Sequence, residues 1–177
     1  MYRTHNNGEL RLQDVNSEVT LCGWVAKRRN FGALVFIDLR DRYGITQLVF
    51  NEDIAKQISD VRNEYVLQVK GTVVERKDKN PKLATGEIEV VVREVKIVNT
   101  AITTPMIIAD ETDALEDTRL KYRYLDLRRP VLQKNLILRN RITLLVRNYL
   151  AKYGFTEVET PILCRSTPEG ARDYLVP

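Results

Sequence analysis

The sequence is poor in the residues that build metal sites and disulfide frameworks. Its 177 residues include two cysteines and one histidine. Cys22 and Cys164 lie far apart, with no Cys-x-x-Cys or Cys/His spacing around either of them. This scarcity excludes a zinc-finger type of site and a disulfide-stapled secreted domain. We expect reduced thiols and no metal site.

Long hydrophobic runs are lacking as well. No segment approaches the roughly 18 consecutive apolar residues of a membrane-spanning helix. The start of the chain, from Met1 to Asn6, is polar where a secretory signal would be apolar. These features predict a cytoplasmic protein with no membrane partner.

Nor is there a large excess of charge of one sign. The 28 Lys and Arg against 24 Asp and Glu leave a net charge of +4. Such a balance permits a polyanionic partner without requiring one, because many ordinary domains are mildly basic. With 44% hydrophobic residues, the chain is long enough for one small complete domain and part of a second.

Residues 1–100 are predicted to form the complete domain. Five segments within it are rich in β-branched and aromatic residues and are separated by Gly, Asn or Asp, which indicates strands. The predicted strands are residues 19–29, 34–41, 45–50, 65–75 and 87–98.

One helical pattern separates the third predicted strand from the fourth. Ile54, Ile58 and Val61 recur at helical spacing, after two candidate caps, Asn51 and Asp53. Three strands, a helix and two strands is the element order of the OB-fold, a small barrel that often binds single-stranded nucleic acid on its second and third strands. SH3-like barrels and plain sandwiches share much of this order, so the pattern favours the OB-fold without excluding them.

The rest of the chain is predicted to be a hinge followed by the start of an α+β domain. Residues 101–130 lack sustained periodicity, and an acidic stretch from Asp110 to Asp117 precedes a basic one from Arg119 to Arg129. We expect an interdomain hinge there, and the second domain over residues 131–177.

The second domain is predicted to open with a helix of about 20 residues, because an apolar stripe follows helical spacing. The stripe consists of Leu138, Ile142, Leu145 and Tyr149. Gly154 stands where a left-handed C-terminal cap is expected. Residues 155–160 are predicted to be a short strand that Pro161 ends, because proline cannot donate to a sheet ladder.

An aromatic side chain on the second predicted strand is the first candidate binding residue. Alternation places Phe36 with Asp38 and Arg40, on the side opposite an apolar set. A base would stack at this place in an OB barrel, and such stacking contributes roughly 1–3 kcal/mol per base. The alternative is that Phe36 covers a barrel end or a neighbouring loop.

A carboxylate on the fifth predicted strand is the second candidate. Glu89 faces away from the apolar set of Ile88, Val90 and Val92. A carboxylate accepts hydrogen bonds from the amino and imino groups of bases, so Glu89 is a candidate for base recognition. The alternative is a solvated glutamate on a polar face.

Two charged segments complete the candidates. Lys27, Arg28 and Arg29 lie beside the predicted stacking aromatic, where three cations would neutralise phosphates; otherwise they are a solvated strand end. Residues 167–173 combine loop formers with three charges. This segment is either a surface turn or a loop that closes over a small zwitterion, with Glu169 attracting an ammonium group.

Four stretches together carry a family resemblance that covers the chain. They are Leu21 to Val25 with Arg28, Arg29 and Phe36 to Asp41; Lys121 to Pro130; Gly154 to Pro161; and Thr167 to Pro177. The first is similar to the anticodon-binding OB domain of bacterial aspartyl-tRNA synthetases, which are class II enzymes. The second resembles the junction that opens their catalytic domain, and the third resembles class II motif 1. The fourth resembles the mobile loop that closes over bound aspartate.

The resemblance implies that the chain is the N-terminal part of such a synthetase, and it implies roles for individual residues. Phe36 is then the aromatic on which an anticodon base stacks. Three further residues are anticodon contacts: Arg29, Gln47 and Glu89. Alternation alone would not have selected Gln47, because it lies among apolar residues.

The resemblance also implies the chemistry of the parent protein. Glu169 would contact the ammonium group of L-aspartate, and Pro161 would belong to motif 1 at a homodimer interface. The family reaction uses ATP and Mg²⁺ to form an acyl-adenylate, which the terminal ribose hydroxyl of tRNA then attacks. Both steps need electrostatic clamps on phosphate.

The arginines that supply these clamps belong to motifs 2 and 3, which do not occur in this sequence. We therefore expect no catalytic residue in the chain and no bound ATP or Mg²⁺. The parent ligase is expected to be active, whereas this chain is expected to bind tRNA without catalysing either step.

Two other hypotheses stand beside this one. The chain could be a free-standing OB-fold nucleic-acid-binding protein, or a short interaction protein that dimerises through motif 1. Residues 122–177 discriminate between the synthetase and the free-standing barrel, because a binding module has no need of motif 1 or of an aspartate-covering loop.

Overall fold

The structure is a computed structural model that describes residues 2–32 and 34–162. The chain divides into two compact units, Met1–Pro105 and Met106–Pro177. The expected aspartate-covering loop, with Glu169, lies outside the described residues, as does Cys164.

The first unit is a five-stranded closed barrel, which confirms the predicted OB-fold. All five predicted strands are present, and none of their ends differs from the prediction by more than two residues. They are β1 (Glu18–Phe31), β2 (Leu34–Arg40), β3 (Ile45–Phe50), β4 (Val66–Glu75) and β5 (Ile88–Asn99).

The barrel is closed by one short parallel contact. Around the barrel the strands follow the order β1-β2-β3-β5-β4, and β4 pairs with β1. All neighbours are antiparallel except β3 and β5, which run parallel through the pairs Leu48↔Val90 and Val49↔Val91. Every strand therefore has a partner on both sides, and the sheet has no free edge.

Alternating apolar residues fill the barrel interior. On β2, the side chains of Val35, Ile37 and Leu39 are buried and those of Phe36 and Asp38 are not, as the alternation predicts. Burial of an aliphatic side chain of this size contributes about 1.5–3 kcal/mol. The fully buried members of the core include Leu21, Val25, Ile37, Leu39, Leu48, Phe50, Leu67, Val73, Ile88 and Val90.

The predicted helix between β3 and β4 is only partly right. An α-helix, α1 (Glu52–Ala55), continues into a single 3-10 turn, Lys56–Ile58. Asn51 caps α1 by accepting a hydrogen bond from the backbone N–H of Ile54 at 3.1 Å. Both Ile58 and Val61 reach the core, and the tight bond from the Val61 N–H to the Ile58 carbonyl replaces the last helical turn.

The N-terminal segment is held against the β2–β3 turn by one carboxylate. Asp41 accepts hydrogen bonds from Arg3 Nη1 at 3.1 Å and from the backbone N–H of Asn7 at 3.0 Å. It also accepts from the backbone N–H groups of Tyr43 and Gly44, within the turn itself. The carboxylate is nearly buried, so these four donors replace water as its partners.

The second unit contains three helices within the described residues. They are α2 (Glu116–Lys121), α3 (Arg123–Asp126) and α4 (Pro130–Lys152). Residues 101–130, predicted to be a hinge because their sequence lacks sustained periodicity, contain two short helices. Their helical stretches are too short to produce a repeating apolar pattern in the sequence.

The junction between α3 and α4 is organised by the buried carboxylate of Asp126. Arg119, Arg123 and Arg129 all donate hydrogen bonds to it, at 3.1, 2.6 and 3.0 Å. Burial alone would raise the pKa of Asp126, but the hydrogen bonds and charges of Arg129 and Arg119 outweigh this effect and hold the pKa below its ordinary value. Arg129 also donates to the backbone carbonyls of Ala109 and Asp110, which ties the preceding segment to the start of α4.

The end of α4 confirms the predicted cap, but the predicted strand after it is wrong. Gly154 has φ +82°, in the left-handed region, and the N–H of Phe155 donates to the Leu150 carbonyl at 3.2 Å. Residues 155–160 are not a strand, because within the described residues they have no neighbouring strand with which to pair. Besides the bond from Phe155, this segment contacts the helix through an ion pair between Glu157 and Arg147.

The apolar stripe predicted on α4 is exposed. Its four members retain between 53% and 68% of their accessible surface. Within the described residues, no helix of the chain is long and apolar enough to cross a membrane.

Candidate nucleic-acid interface

The candidate residues of the barrel meet on its outer face, where β1, β2 and β3 run side by side. Arg29 lies directly opposite Phe36, and Phe36 lies directly opposite Val49. Side chains directly opposite each other in a sheet point to the same face, so these three form a row across the strands. Asp38 and Gln47 form the next row, two residues further along β2.

Phe36 is a half-buried aromatic with an exposed aromatic neighbour. Its ring lies 5.6 Å, centroid to centroid, from the ring of Phe31, at an angle of 85°. Phe31 is 65% exposed at the end of β1. The two rings therefore form an aromatic surface on the outside of the β1–β2 hairpin, and a π face there is what a nucleic-acid base stacks on.

A chain of hydrogen bonds runs from β1 to β5 beside this surface. Arg29 Nη2 donates to Asp38 Oδ1 at 2.6 Å and to Gln47 Oε1 at 3.2 Å. Gln47 Nε2 donates to Glu89 Oε2 at 2.7 Å. The structure thus brings together all four residues that the family resemblance implied for the anticodon: Arg29, Phe36, Gln47 and Glu89.

Arg76 also joins this chain of hydrogen bonds. It lies directly after β4, and its Nη2 donates to Gln47 Oε1 at 3.0 Å. We refer to the five side chains joined by these bonds as the polar cluster: Arg29, Asp38, Gln47, Arg76 and Glu89.

Two members of the polar cluster were missed by the sequence analysis. Alternation had placed Asp38 on the face of Phe36, and its position opposite Gln47 would have indicated a shared role. Arg76 gave no such signal, because its approach to β3 depends on the path of the β4–β5 connection. That path is set by pairing between β4 and β5, extended by a bond from the Arg76 N–H to the Glu87 carbonyl at 2.9 Å.

Gln47 is nearly buried although it lies on the outer face. It retains 6% of its accessible surface, because the arginines and Glu89 cover it. Its Oε1 accepts from two guanidinium groups, which have no acceptor, and its Nε2 donates to a carboxylate, which has no donor when ionised. These partners permit only one orientation of the amide.

The polar cluster carries no net charge, since two arginines balance two carboxylates. Its contribution to binding is therefore a pattern of donors and acceptors, and attraction to phosphate must come from other cations. Of the triplet predicted to supply them, Arg28 donates to the backbone carbonyls of Ser59 and Val61, and Arg29 is paired with Asp38. Lys27 is exposed, whereas Arg28 and Arg29 are partly buried and bonded within the protein, so contact of all three cations with phosphate stays a prediction.

The remaining predicted site residues lie in the second unit. Pro161 is exposed and follows the irregular segment after α4. Glu169 lies outside the described residues. Over residues 2–32 and 34–162, no group of three or more His, Cys, Asp and Glu side chains is placed to hold a metal ion.

Two protein-family profiles match the chain. The family described as "OB-fold nucleic acid binding domain" matches residues 19–98, which contain all or nearly all of each barrel strand. The family described as "tRNA synthetases class II (D, K and N)" matches residues 115–177, which contain α2, α3 and α4. The second match disfavours a free-standing barrel, because such a module has no synthetase segment.

Curated relatives of the chain are aspartate–tRNA ligases. The chain is 56% identical over 181 residues to the aspartate–tRNA ligase of Bacteroides thetaiotaomicron, covering 100% of this chain and 31% of that protein. It is 55% identical over 177 residues to the ligase of Mycoplasma mycoides, with the same two coverages. The chain therefore spans about a third (31%) of the length of the curated relatives it matches.

Among solved structures, the aspartyl-tRNA synthetase from Entamoeba histolytica resembles the chain with a TM-score of 0.83. The match has 21% identity and covers 90% of this chain and 39% of that one. At this identity the likeness establishes the fold alone. Taken with the two family profiles and the identity to curated relatives along the whole chain, it shows that the chain belongs to the class II aspartate–tRNA ligase family and matches the N-terminal part of its members.

Proposed function

We propose that the chain recognises the anticodon of tRNA within an aspartate–tRNA ligase. The observation that carries this proposal is the polar cluster beside Phe36, on the outer face of an OB barrel. Residues 1–100 are then the anticodon-binding domain, residues 101–130 the hinge, and residues 131–177 the start of the catalytic domain.

Phe36 and the polar cluster make different contributions to recognition: Phe36 contributes affinity and the polar cluster contributes specificity. A base stacked on Phe36 gains affinity whatever its identity, because every base has a π face. Identity is read by hydrogen bonds to base edges. Gln47 Nε2 donates to Glu89 Oε2 at 2.7 Å, which leaves Glu89 Oε1 as an acceptor and the second Nε2 hydrogen of Gln47 as a donor for the edge of a base.

The parent ligase attaches L-aspartate to tRNA with ATP and Mg²⁺ in this proposal. Glu169 contacts the ammonium group of the amino acid, and motif 1, with Pro161, contributes to a homodimer interface. The exposed apolar stripe of α4 supports an association of this kind, because large apolar patches usually mark interaction surfaces. A cytoplasmic location follows from tRNA as the partner.

No step of the reaction is assigned to the described residues. Their part in the reaction is to bind and orient tRNA, and the nucleotide chemistry belongs to motifs 2 and 3.

The test is direct binding of the 177-residue chain to an aspartate-tRNA anticodon stem-loop, compared with a stem-loop whose anticodon bases are changed. Both are measured at two salt concentrations, because phosphate contacts weaken steeply with salt. We expect a preference for the cognate loop at both concentrations. Equal, strongly salt-sensitive binding would instead indicate a general nucleic-acid-binding barrel.

A further inference from the structure

Arg76 is placed by the sheet, independently of any ligand. It follows directly after β4, where Glu75 pairs with Ile88, and its backbone N–H donates to the Glu87 carbonyl at 2.9 Å. This pairing carries the guanidinium group over β3, where it is partly buried and donates to Gln47 Oε1 at 3.0 Å.

Two arginines share the amide oxygen of Gln47, and they do so unequally. Arg29 reaches it at 3.2 Å, but the same Nη2 is held more closely by Asp38, at 2.6 Å. A charge-assisted bond of that length is much stronger than one at 3.2 Å. Arg76, at 3.0 Å, is therefore the firmer of the two donors to Gln47 Oε1.

The orientation of this amide has a consequence for its other end. If the amide turned over, its NH₂ group would face two guanidinium donors and its oxygen would face the carboxylate of Glu89. Donors would then face donors, and an acceptor would face an acceptor. The turned state therefore leaves nearly buried polar atoms without hydrogen bonds. In the observed state, Gln47 Nε2 donates to Glu89 Oε2 at 2.7 Å, so a donor and a carboxylate acceptor lie next to each other.

We propose that Arg76 is a positioning residue for base recognition: it holds the Gln47 amide so that a donor and the Glu89 acceptor are presented side by side. The inference rests on the proposed function. It assigns to Arg76 an action through Gln47, with no contact to RNA of its own.

The competing role for an arginine at this place is a phosphate contact, and salt separates the two. Removing a phosphate contact lowers affinity for all sequences. It also reduces the salt slope, which is the steepness with which the logarithm of affinity falls with the logarithm of salt concentration, by about one. Removing a positioning residue lowers the discrimination between sequences and leaves the slope unchanged. The affinity ratio and the salt slope therefore report on different roles.

The RNA experiment uses the whole 177-residue chain with Arg76→Ala, Arg76→Lys and the control Lys77→Ala. Lys77 is the neighbouring exposed cation and lies outside the polar cluster. We expect Arg76→Ala to reduce the ratio of cognate to base-changed affinity by about tenfold, the effect of one lost charge-assisted hydrogen bond, with an unchanged salt slope. Arg76→Lys, which retains a charged donor, should recover part of the ratio, and Lys77→Ala should retain it. A retained ratio with a lower slope in Arg76→Ala would overturn the proposal.

A second measurement needs no RNA. The side-chain NH₂ signals of Gln47 in the NMR spectrum of the free chain report how firmly the amide is held. We expect Arg76→Ala to shift these signals and to speed their exchange with water, while backbone signals of β3 stay in place. Gln47 signals that stay unchanged in Arg76→Ala would overturn the positioning role, even if the unmodified chain prefers the cognate stem-loop. If the unmodified chain shows no RNA preference, the proposed function fails, and the NMR result still decides the role of Arg76.

Discussion

Phe31 and Phe36 stand edge to face on the outside of the β1–β2 hairpin, with ring centroids 5.6 Å apart. Such pairs contribute about 0.5–1.5 kcal/mol beyond the area they bury. The contact therefore orients Phe36 before any ligand arrives. A preoriented ring loses less conformational entropy when a base stacks on it.

Phe36→Ala should weaken binding of the anticodon stem-loop by about 1–3 kcal/mol, because the stacking surface is lost. The free energy of unfolding should fall by only about 0.5–1.5 kcal/mol, because the pair with Phe31 is lost while the core is unchanged. Titration with labelled stem-loop measures the affinity. Tyr43→Ala is the control, because Tyr43 is an exposed aromatic in the β2–β3 turn, outside the polar cluster. Equal losses of affinity in the two variants would contradict the assignment of Phe36 as the stacking residue.

Glu89→Gln should reduce discrimination between cognate and base-changed stem-loops by about 1–3 kcal/mol, because the acceptor proposed to read the base is replaced by a mixed donor and acceptor. The same titrations provide the measurement. Glu87→Gln removes the same charge from an exposed position close by and should keep the discrimination. If both variants behaved alike, the effect would be one of net charge and not of base recognition.

Asp41→Ala should lower the free energy of unfolding of the barrel by about 3 kcal/mol, because a nearly buried acceptor for four donors is lost. Urea denaturation followed by fluorescence of the single tryptophan, Trp24, measures this change. Asp60→Ala, an exposed aspartate, should change it by less than about 0.5 kcal/mol. A similar small change for Asp41→Ala would mean that the N-terminal segment contributes nothing to barrel stability.

The junction between α3 and α4 should lose stability in acid. The pKa of Asp126 is lower in the folded state than its ordinary value of about 3.9. The contribution of Asp126 is therefore complete above that ordinary value and is lost as the pH falls through the lower, folded-state pKa. Amide exchange of Leu127, Arg129 and Gln133, corrected for the intrinsic effect of pH, should show this loss.

The matching variant is Asp126→Asn. It should reduce the free energy of opening of those amides by about 2–3 kcal/mol at neutral pH, and the decline in acid should disappear. Asp113→Asn, at an exposed position, should retain both the protection and its pH dependence. If amide protection still declined in acid in Asp126→Asn, a group other than Asp126 would be responsible for the decline.

The barrel was predictable because each strand alternates between a buried and an exposed face. On β2 and β5 the alternation identified the outward side chains, including Phe36 and Glu89, with no knowledge of the strand partners. The connection after β3 was harder, since Ile58 and Val61 are both buried whether the backbone forms an α-helix or a 3-10 turn. Apolar spacing alone does not distinguish these geometries over so few residues.

The polar cluster was only partly predictable for a different reason. Gln47 lies among apolar residues of β3, and its role depends on side chains from three other parts of the barrel. Arg76 approaches it only because β4 and β5 pair in one particular register. The prediction of a strand over residues 155–160 was wrong because it considered the local sequence alone. That sequence suits a strand, but a strand requires a partner, and the described residues supply none.

The parallel contact between β3 and β5 has a consequence for how recognition depends on folding. Were the barrel cut at the pairs Leu48↔Val90 and Val49↔Val91, the remaining sheet would run β3-β2-β1-β4-β5, with β3 and β5 at opposite edges. Gln47 and Glu89 would then be as far apart as the sheet is wide. The pair proposed to read the base thus exists only in the closed barrel, so on this proposal an incompletely folded chain stacks on a base through β2 but does not tell one base from another.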